Sequence, residues 1–311
     1  MAQTQTEIRQ MLEEFGLRPQ KMFGQNFLVD HNLLRALVDL SGVRPGDAVL
    51  EVGPGTGTLT DVLLEAGATV LAVEIDHGLM RLLEQRYANH PRLRLLRADV
   101  LAGKHQIEPQ VLAAARELGP GGIQLVSNLP YNIATPLICE CLMQALAAAR
   151  GEVQAVRFGR LTVTIQRELA QRLSAPVGDE AYGPASVLTG LLGRIELGKR
   201  LPATAFWPPP SVVSQMLAID PVAPPPEILG DAQTLRKLVM WAFGQRRKKI
   251  GSTTRRAGAP FSAEAIDRAL AAAGVDPDSR PERISPPQFA AMGAEISRLE
   301  AGDRRLEERP E

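Results

Sequence analysis

"VLEVGPGTGTLT" occupies residues 49–60, and its reading decides the architecture. An apolar, β-branched run ends on three glycines at alternate positions, Gly53, Gly55 and Gly57, and a helical pattern follows from Leu59 until Gly67 can stop it. Glycines at a strand end permit positive φ and let the backbone approach a ligand at a helix N-terminus. The alternation continues along the chain, with apolar runs at 48–53, 69–76, 93–99, 123–129 and 161–166 separated by helical stretches. Strands alternating with helices predict an α/β fold whose mostly parallel sheet is covered on both faces. Two further runs, at 194–201 and 213–220, are joined by a proline-rich connection in place of a helix. They should form an antiparallel edge.

After Asp220 the texture changes. Pro221-Val222-Ala223-Pro224-Pro225-Pro226 is a stiff connector without strand character. The expected organisation is a domain at 1–221, a small all-helical domain at 222–300 and a flexible charged tail at 301–311. Helices are expected at Ala232–Gly244, 262–273 and 287–300. No apolar run approaches the ~18 residues of a membrane span, and the N-terminal stretch has neither the apolar core of a secretory signal nor the character of a transit peptide. A cytoplasmic location, away from membranes, is the expectation. Lys and Arg number 35 and Asp and Glu 35, so the net charge is zero, which argues against polyanion binding over the whole surface. Any nucleic-acid site must be local. Cys139 and Cys141 form no zinc or disulfide framework, and His31, His77, His90 and His105 have no shared ligand spacing, so no metal is expected.

Successive strand ends carry groups suited to a nucleoside. Glu74 in "LAVEID" can accept ribose hydroxyls, and Asp99 in "RADV" can accept an exocyclic adenine amine. Glycine turns also serve tight strand-to-helix packing, and aspartate is common at strand ends. Three ligand-suited strand tips in a row favour a cofactor. The nicotinamide dinucleotide fingerprint wants glycine or alanine where Thr58 stands. The GxGxG loop preceded by the acid Glu51 more closely resembles class I S-adenosylmethionine methyltransferases, which implies a Rossmann-like methyltransferase sheet.

"SNLPYN", residues 127–132, lies at the fourth tip. In methyl transfer to an exocyclic amine, the Asn128 side-chain oxygen and the Leu129 carbonyl, left free by the Pro130 kink, can accept the two amine protons. Positioning and fixed dipoles then supply most of the barrier reduction without a general base. Tyr131 offers a ring face for a base.

Four stretches, "GQNFLVD" from Gly24, "EVGPGTGTLT" from Glu51, "SNLPYNIATPLI" from Ser127 and "FGQRRKK" from Phe243, together resemble the ribosomal RNA adenine N6,N6-dimethyltransferases of the kasugamycin-resistance type. The resemblance extends over residues 15–290. It implies dimethylation of N6 on two adjacent adenosines near the 3' end of small-subunit rRNA, during late assembly of a 30S-type particle, with S-adenosyl-L-methionine as cofactor. By the same resemblance Asn26, Leu28, Gly53, Gly55, Glu74, Asp99 and Asn128 hold the cofactor, and Gln25 orders the segment above it. Asn128, Leu129, Pro130 and Tyr131 form the catalytic tip, and Phe206 sandwiches the extruded base against Tyr131. The chain departs from the family at Ser211, where lysine is usual, and at Trp207, an added aromatic.

Arg246, Arg247, Lys248, Lys249, Arg255 and Arg256 fall in eleven residues without an acid. From charge alone, phosphate binding and a solvated basic helix end are both open readings; the family motif implies RNA binding through residues 246–249. A macrolide-resistance type large-subunit methyltransferase and a nonenzymatic assembly factor of this fold are the alternatives. A monomer is expected.

Overall fold

The computed structural model describes residues 3–20, 24–103, 106–224, 231–253 and 259–307. Pro225, Pro226, His105, Arg255 and Arg256 lie outside the described residues. The chain forms two compact units, Met1–Ala170 with Arg194–Pro221, and Gln171–Gly193 with Val222–Glu311.

The first unit begins with α1 (Gln5–Glu14), β1 (Phe27–Leu28), α2 (His31–Ser41), β2 (Ala48–Val52), α3 (Thr58–Glu65), β3 (Thr69–Glu74) and α4 (His77–Arg86). It continues through β4 (Leu93–Arg97), α5 (Pro109–Leu118), β5 (Ile123–Asn128), α6 (Ala134–Ala149) and β6 (Phe158–Gln166). The chain then passes into the second unit along α7 (Arg167–Leu173), forms α8 (Pro184–Leu192), and returns as β7 (Gly193–Leu201), β8 (Phe206–Trp207) and β9 (Ser214–Pro221).

Seven strands make one sheet in the order β4-β3-β2-β5-β6-β9-β7. β4 through β6 pair in parallel, and β9 runs antiparallel to β6. This is the mostly parallel sheet with an antiparallel edge that the strand–helix alternation implies. Strands covered on both faces should be apolar throughout rather than alternating. Val70, Leu71, Ala72 and Val73 of β3 accordingly expose 1% or less. Between helices α2 and α3 and the sheet, Leu34, Leu37, Leu63, Val49 and Val126 form part of one continuous core. Aspartates fix two helix starts: Asp30 accepts from Asn32 and Leu33 N–H at the head of α2, and Asp76 from Gly78 and Leu79 at the head of α4.

The second unit differs from the expectation. A single boundary after Pro221 assigned 171–193 to the first domain, whereas this segment belongs with the C-terminal helices. Its helix α8 is apolar on nearly every side, with Ala185, Val187, Leu188, Leu191 and Leu192 buried, so it needs neighbours all round. The remaining helices are α9 (Ala232–Gly244), α10 (Ile250–Thr253), α11 (Ala263–Ala272) and α12 (Pro286–Glu307). Phe243 of α9 lies 5.9 Å from both the Tyr182 and Phe289 rings, and the Tyr182 hydroxyl donates to the Ile284 carbonyl at 2.9 Å. α12 continues to Glu307, beyond the end at 300 read from the sequence. Ala301, Arg304, Arg305, Leu306 and Glu307 are all good helix formers. No helix among the described residues is long and apolar enough to cross a membrane.

Candidate active site at the strand tips

A cleft of the first unit opens at the C-terminal ends of β2, β3, β4 and β5, where ligands of open α/β sheets bind. About 1060 Å³ of empty space, part of it open to solvent, lies between the glycine loop, Glu74, Asp99, residues 128–133 and residues 24–28.

The glycine loop has the geometry its sequence demands. Gly53 and Gly55 adopt φ of 68° and 63°, a region costly for residues with a Cβ. A Cβ on Gly55 would stand 2.7 Å from Cε1 of Phe27. The loop is therefore packed from above as well as turned from below.

Glu74 is 4% exposed. Its carboxyl oxygens accept from Asp76 N at 2.9 Å and Gly55 N at 3.3 Å, so it is aimed by the two loops it joins. Burial pushes its pKa up to about 7, against the backbone hydrogen bonds that lower it. Asp99 sits exposed on the cleft rim and accepts from Leu101 N at 3.0 Å.

The SNLPYN tip is tied to its surroundings residue by residue. The Ser127 hydroxyl, fully buried, donates to the Val52 carbonyl at 2.6 Å and fixes β5 against β2 one residue before Gly53. Asn128 Nδ2 donates to the Asn26 carbonyl at 3.0 Å. That bond uses the amide's donor end and leaves its oxygen as the end suited to accept from a ligand. Leu129 is 2% exposed and donates its N–H to the Thr164 carbonyl at 3.2 Å. Pro130 packs toward Gly53 and Gly24. The Tyr131 hydroxyl lies 3.1 Å from Ser214 Oγ, and burial raises its pKa.

Residues 24–28 come to the same cleft. Asn26 donates through Nδ2 to Gly24 O at 3.1 Å, and Leu28 lines the cleft at 1% exposure. Gln25 accepts from Gln20 N at 2.8 Å and donates to Asp76 Oδ2 at 3.2 Å, which ties it to the head of α4.

Phe206 lies apart from the cleft lining. It is 3% exposed and belongs to the hydrophobic core with Leu28, Leu34 and Leu37. In the β1–β8 ribbon Phe206 pairs with Leu28, and Trp207 pairs with Phe27. Trp207 stacks on Phe27 at 6.3 Å.

Several residues the sequence reading left without a role complete the site. Glu51, 1% exposed in the cleft wall, accepts from Thr60 Oγ1 at 2.7 Å, and burial pushes its pKa up to about 8. Ile75, 46% exposed and next to Glu74 in the chain, and Val100, next to Asp99, add apolar side chains to the cleft lining. An apolar side chain left in solvent at a cleft edge could have been noticed only once burial was known. Among the described residues no group of three or more His, Cys, Asp and Glu is placed to hold a metal.

The profile of the ribosomal RNA adenine dimethylase family matches residues 16–295. The chain belongs to this family. It is 35% identical over 284 residues to the ribosomal RNA small subunit methyltransferase A of Geobacter metallireducens, covering 91% of this chain and 98% of that one. The protein of the same name from Mycobacterium tuberculosis is 39% identical over 292 residues, covering 92% of this chain and 86% of the other. A dimethyladenosine transferase from Plasmodium falciparum, 20% identical, superposes with a TM-score of 0.63 over 89% of this chain and 97% of its own, which shows the shared fold. As a ribosomal RNA adenine dimethylase the protein is a methyltransferase using S-adenosylmethionine. The cleft suits that cofactor in its chemistry: carboxyl acceptors at Glu74 and Asp99, a glycine loop at the head of α3, and apolar side chains at Ile75 and Val100.

Proposed function

We propose that the enzyme dimethylates N6 of two adjacent adenosines near the 3' end of small-subunit rRNA, acting as a cytoplasmic monomer on a late 30S-type assembly intermediate. The small-subunit assignment is supported by the names of the relatives at 35% and 39% identity. In this reading Glu74 accepts the ribose hydroxyls, Asp99 the adenine amine, and Asn26, Leu28, Gly53, Gly55 and Asn128 contact the remainder of the cofactor. When bound, the cofactor supplies an electrophilic methyl group.

The chain's own contribution is orientation. The lone pair of an exocyclic adenine nitrogen is delocalised into the ring, so it attacks only when its protons are drawn out of the ring plane. The Asn128 oxygen and the Leu129 carbonyl accept those protons, Pro130 keeps the tip from continuing as strand, and Tyr131 stacks on the base. The observation that carries this is the Asn128 Nδ2 bond to Asn26, which presets the amide with its acceptor end available. Residues 246–249 bind phosphates of the RNA, and the helical unit around them is the RNA-binding domain.

The test is incubation with radiolabelled S-adenosylmethionine and undermethylated small subunits, followed by nucleoside analysis. Labelled N6,N6-dimethyladenosine from small-subunit RNA is expected. Label found in large-subunit RNA alone would reject the assignment.

A further inference from the structure

Trp207, where the resemblance stops, has a position that suggests a use. Its ring is stacked on Phe27 at 6.3 Å with 21° between planes, and the Arg9 guanidinium of α1 lies over it at 5.1 Å from the ring centre. Phe27 lines the cleft with its edge against Gly55, whereas Trp207 does not line it. Around this stack, Ile8 and Leu12 of α1 are buried with Phe27, Leu79 and Leu82. Gln3, just ahead of α1, donates to the Thr56 carbonyl at 2.9 Å, and Arg86 donates to the same oxygen at 2.8 Å. The N-terminal segment thus grips the glycine loop twice, at Thr56 through Gln3 and at Gly55 through Arg9, Trp207 and Phe27.

We propose that Trp207 is a positioning residue for the cofactor cleft: held between Arg9 and Phe27, it presses Phe27 onto Gly55 and couples the N-terminal helix to cofactor affinity. The proposal rests on the cleft being the S-adenosylmethionine site. A short ribbon such as β1–β8 has little ladder of its own to hold its faces, so ring stacking and the cation on the outer face must supply the rigidity. A ligand meeting a preset Phe27 avoids the entropy of ordering it.

The experiment uses the full chain, with calorimetric titration of S-adenosylmethionine and hydrogen exchange of α1 amides in the absence of cofactor. Trp207→Ala should weaken binding on the order of tenfold and speed exchange in α1, and Trp207→Phe should restore most of both. Arg9→Ala should weaken binding by about threefold and have no further effect once Trp207 is alanine. In turnover the loss should fall on KM for the cofactor, with kcat little changed. Unaltered affinity and exchange in Trp207→Ala would overturn the proposal. So would equal losses in Trp207→Phe and Trp207→Ala accompanied by a lower Tm, since Trp207 would then be only a filler of space. Failure of the unsubstituted chain to bind S-adenosylmethionine would reject the cleft assignment instead, and the exchange rates of the variants would still decide whether the clamp exists.

Discussion

The strand-tip cleft and the basic segment after α9 hold their polar groups in opposite ways. In the cleft, Glu74 is fixed by two backbone N–H groups, Asn128 by the Asn26 carbonyl and Glu51 by Thr60. In the basic segment, Arg246 donates to the Glu180 carbonyl at 2.6 Å and Lys249 pairs with Asp278 at 2.9 Å, while Arg247 and Lys248 are exposed. Chemistry at a single nitrogen needs groups set in advance, because reorienting them at the transition state costs rate. Attraction of a phosphate backbone acts over about 8 Å at physiological salt and tolerates loose side chains. The two regions should therefore respond very differently to the loss of one side chain.

The largest effect is expected at Asn128. Asn128→Ala should lower kcat by about 100- to 1000-fold, the range seen when one preset polar group is removed from a developing charge. Single-turnover methylation of small subunits measures it. A fall below tenfold would mean that orientation comes from elsewhere on the tip, and the contrast with the basic segment would lose its basis.

Next comes Glu74. Glu74→Ala should weaken S-adenosylmethionine binding by about 10- to 100-fold, as expected for removal of a charged acceptor. Glu74→Gln should lie between, since an amide keeps one acceptor oxygen. Equilibrium titration separates the three proteins, and equal affinity in all of them would remove Glu74 from the cofactor site.

The same carboxyl gives a pH dependence. Burial first of all raises Glu51 to about 8 and Glu74 to about 7 from an ordinary 4.5. Between pH 4.5 and these values the cofactor-free native protein holds protons that the unfolded chain has released, so its stability falls as pH rises through that window. Ribose hydroxyls donating to Glu74 favour the ionised form. Cofactor binding should consequently release a proton and tighten from pH 6 to 8, by at most about tenfold per unit. Titration in buffers of different ionisation enthalpy reads the proton directly; a flat profile in both the wild type and Glu74→Gln would count against the ionised Glu74.

What could be read from the sequence follows from range. The glycine loop, Glu74, Asp99 and Asn128 could be placed at strand tips because glycine spacing and strand–helix alternation are local, and Ala232–Gly244 was read to its ends because periodicity and the Asp231 cap are local. The burial of Phe206 could not be read, because a two-residue strand has no period. It pairs with β1, a segment far away in the chain. α8 went unread since an all-round apolar helix shows no amphipathic stripe. Ser127 and Asp76 gained their roles from partners distant in sequence, Val52 for the one and Gln20 and Gln25 for the other.

The smallest effect belongs to the basic segment, and it sharpens the comparison from the other side. Replacing Arg247 and Lys248 together by Gln should weaken RNA binding only a few-fold and equally for all sequences, with Tm unchanged, because neither cation has a structural ion pair among the described residues. The slope of log K against log salt should drop by about 0.7 to 0.9 for each lost phosphate contact. Arg246→Ala should behave in the opposite manner, lowering Tm through loss of its bond to the Glu180 carbonyl. A specific, salt-independent loss in the Arg247 and Lys248 double variant would show that this segment, too, is set in advance for one partner geometry, and the distinction between the two regions would then be one of degree.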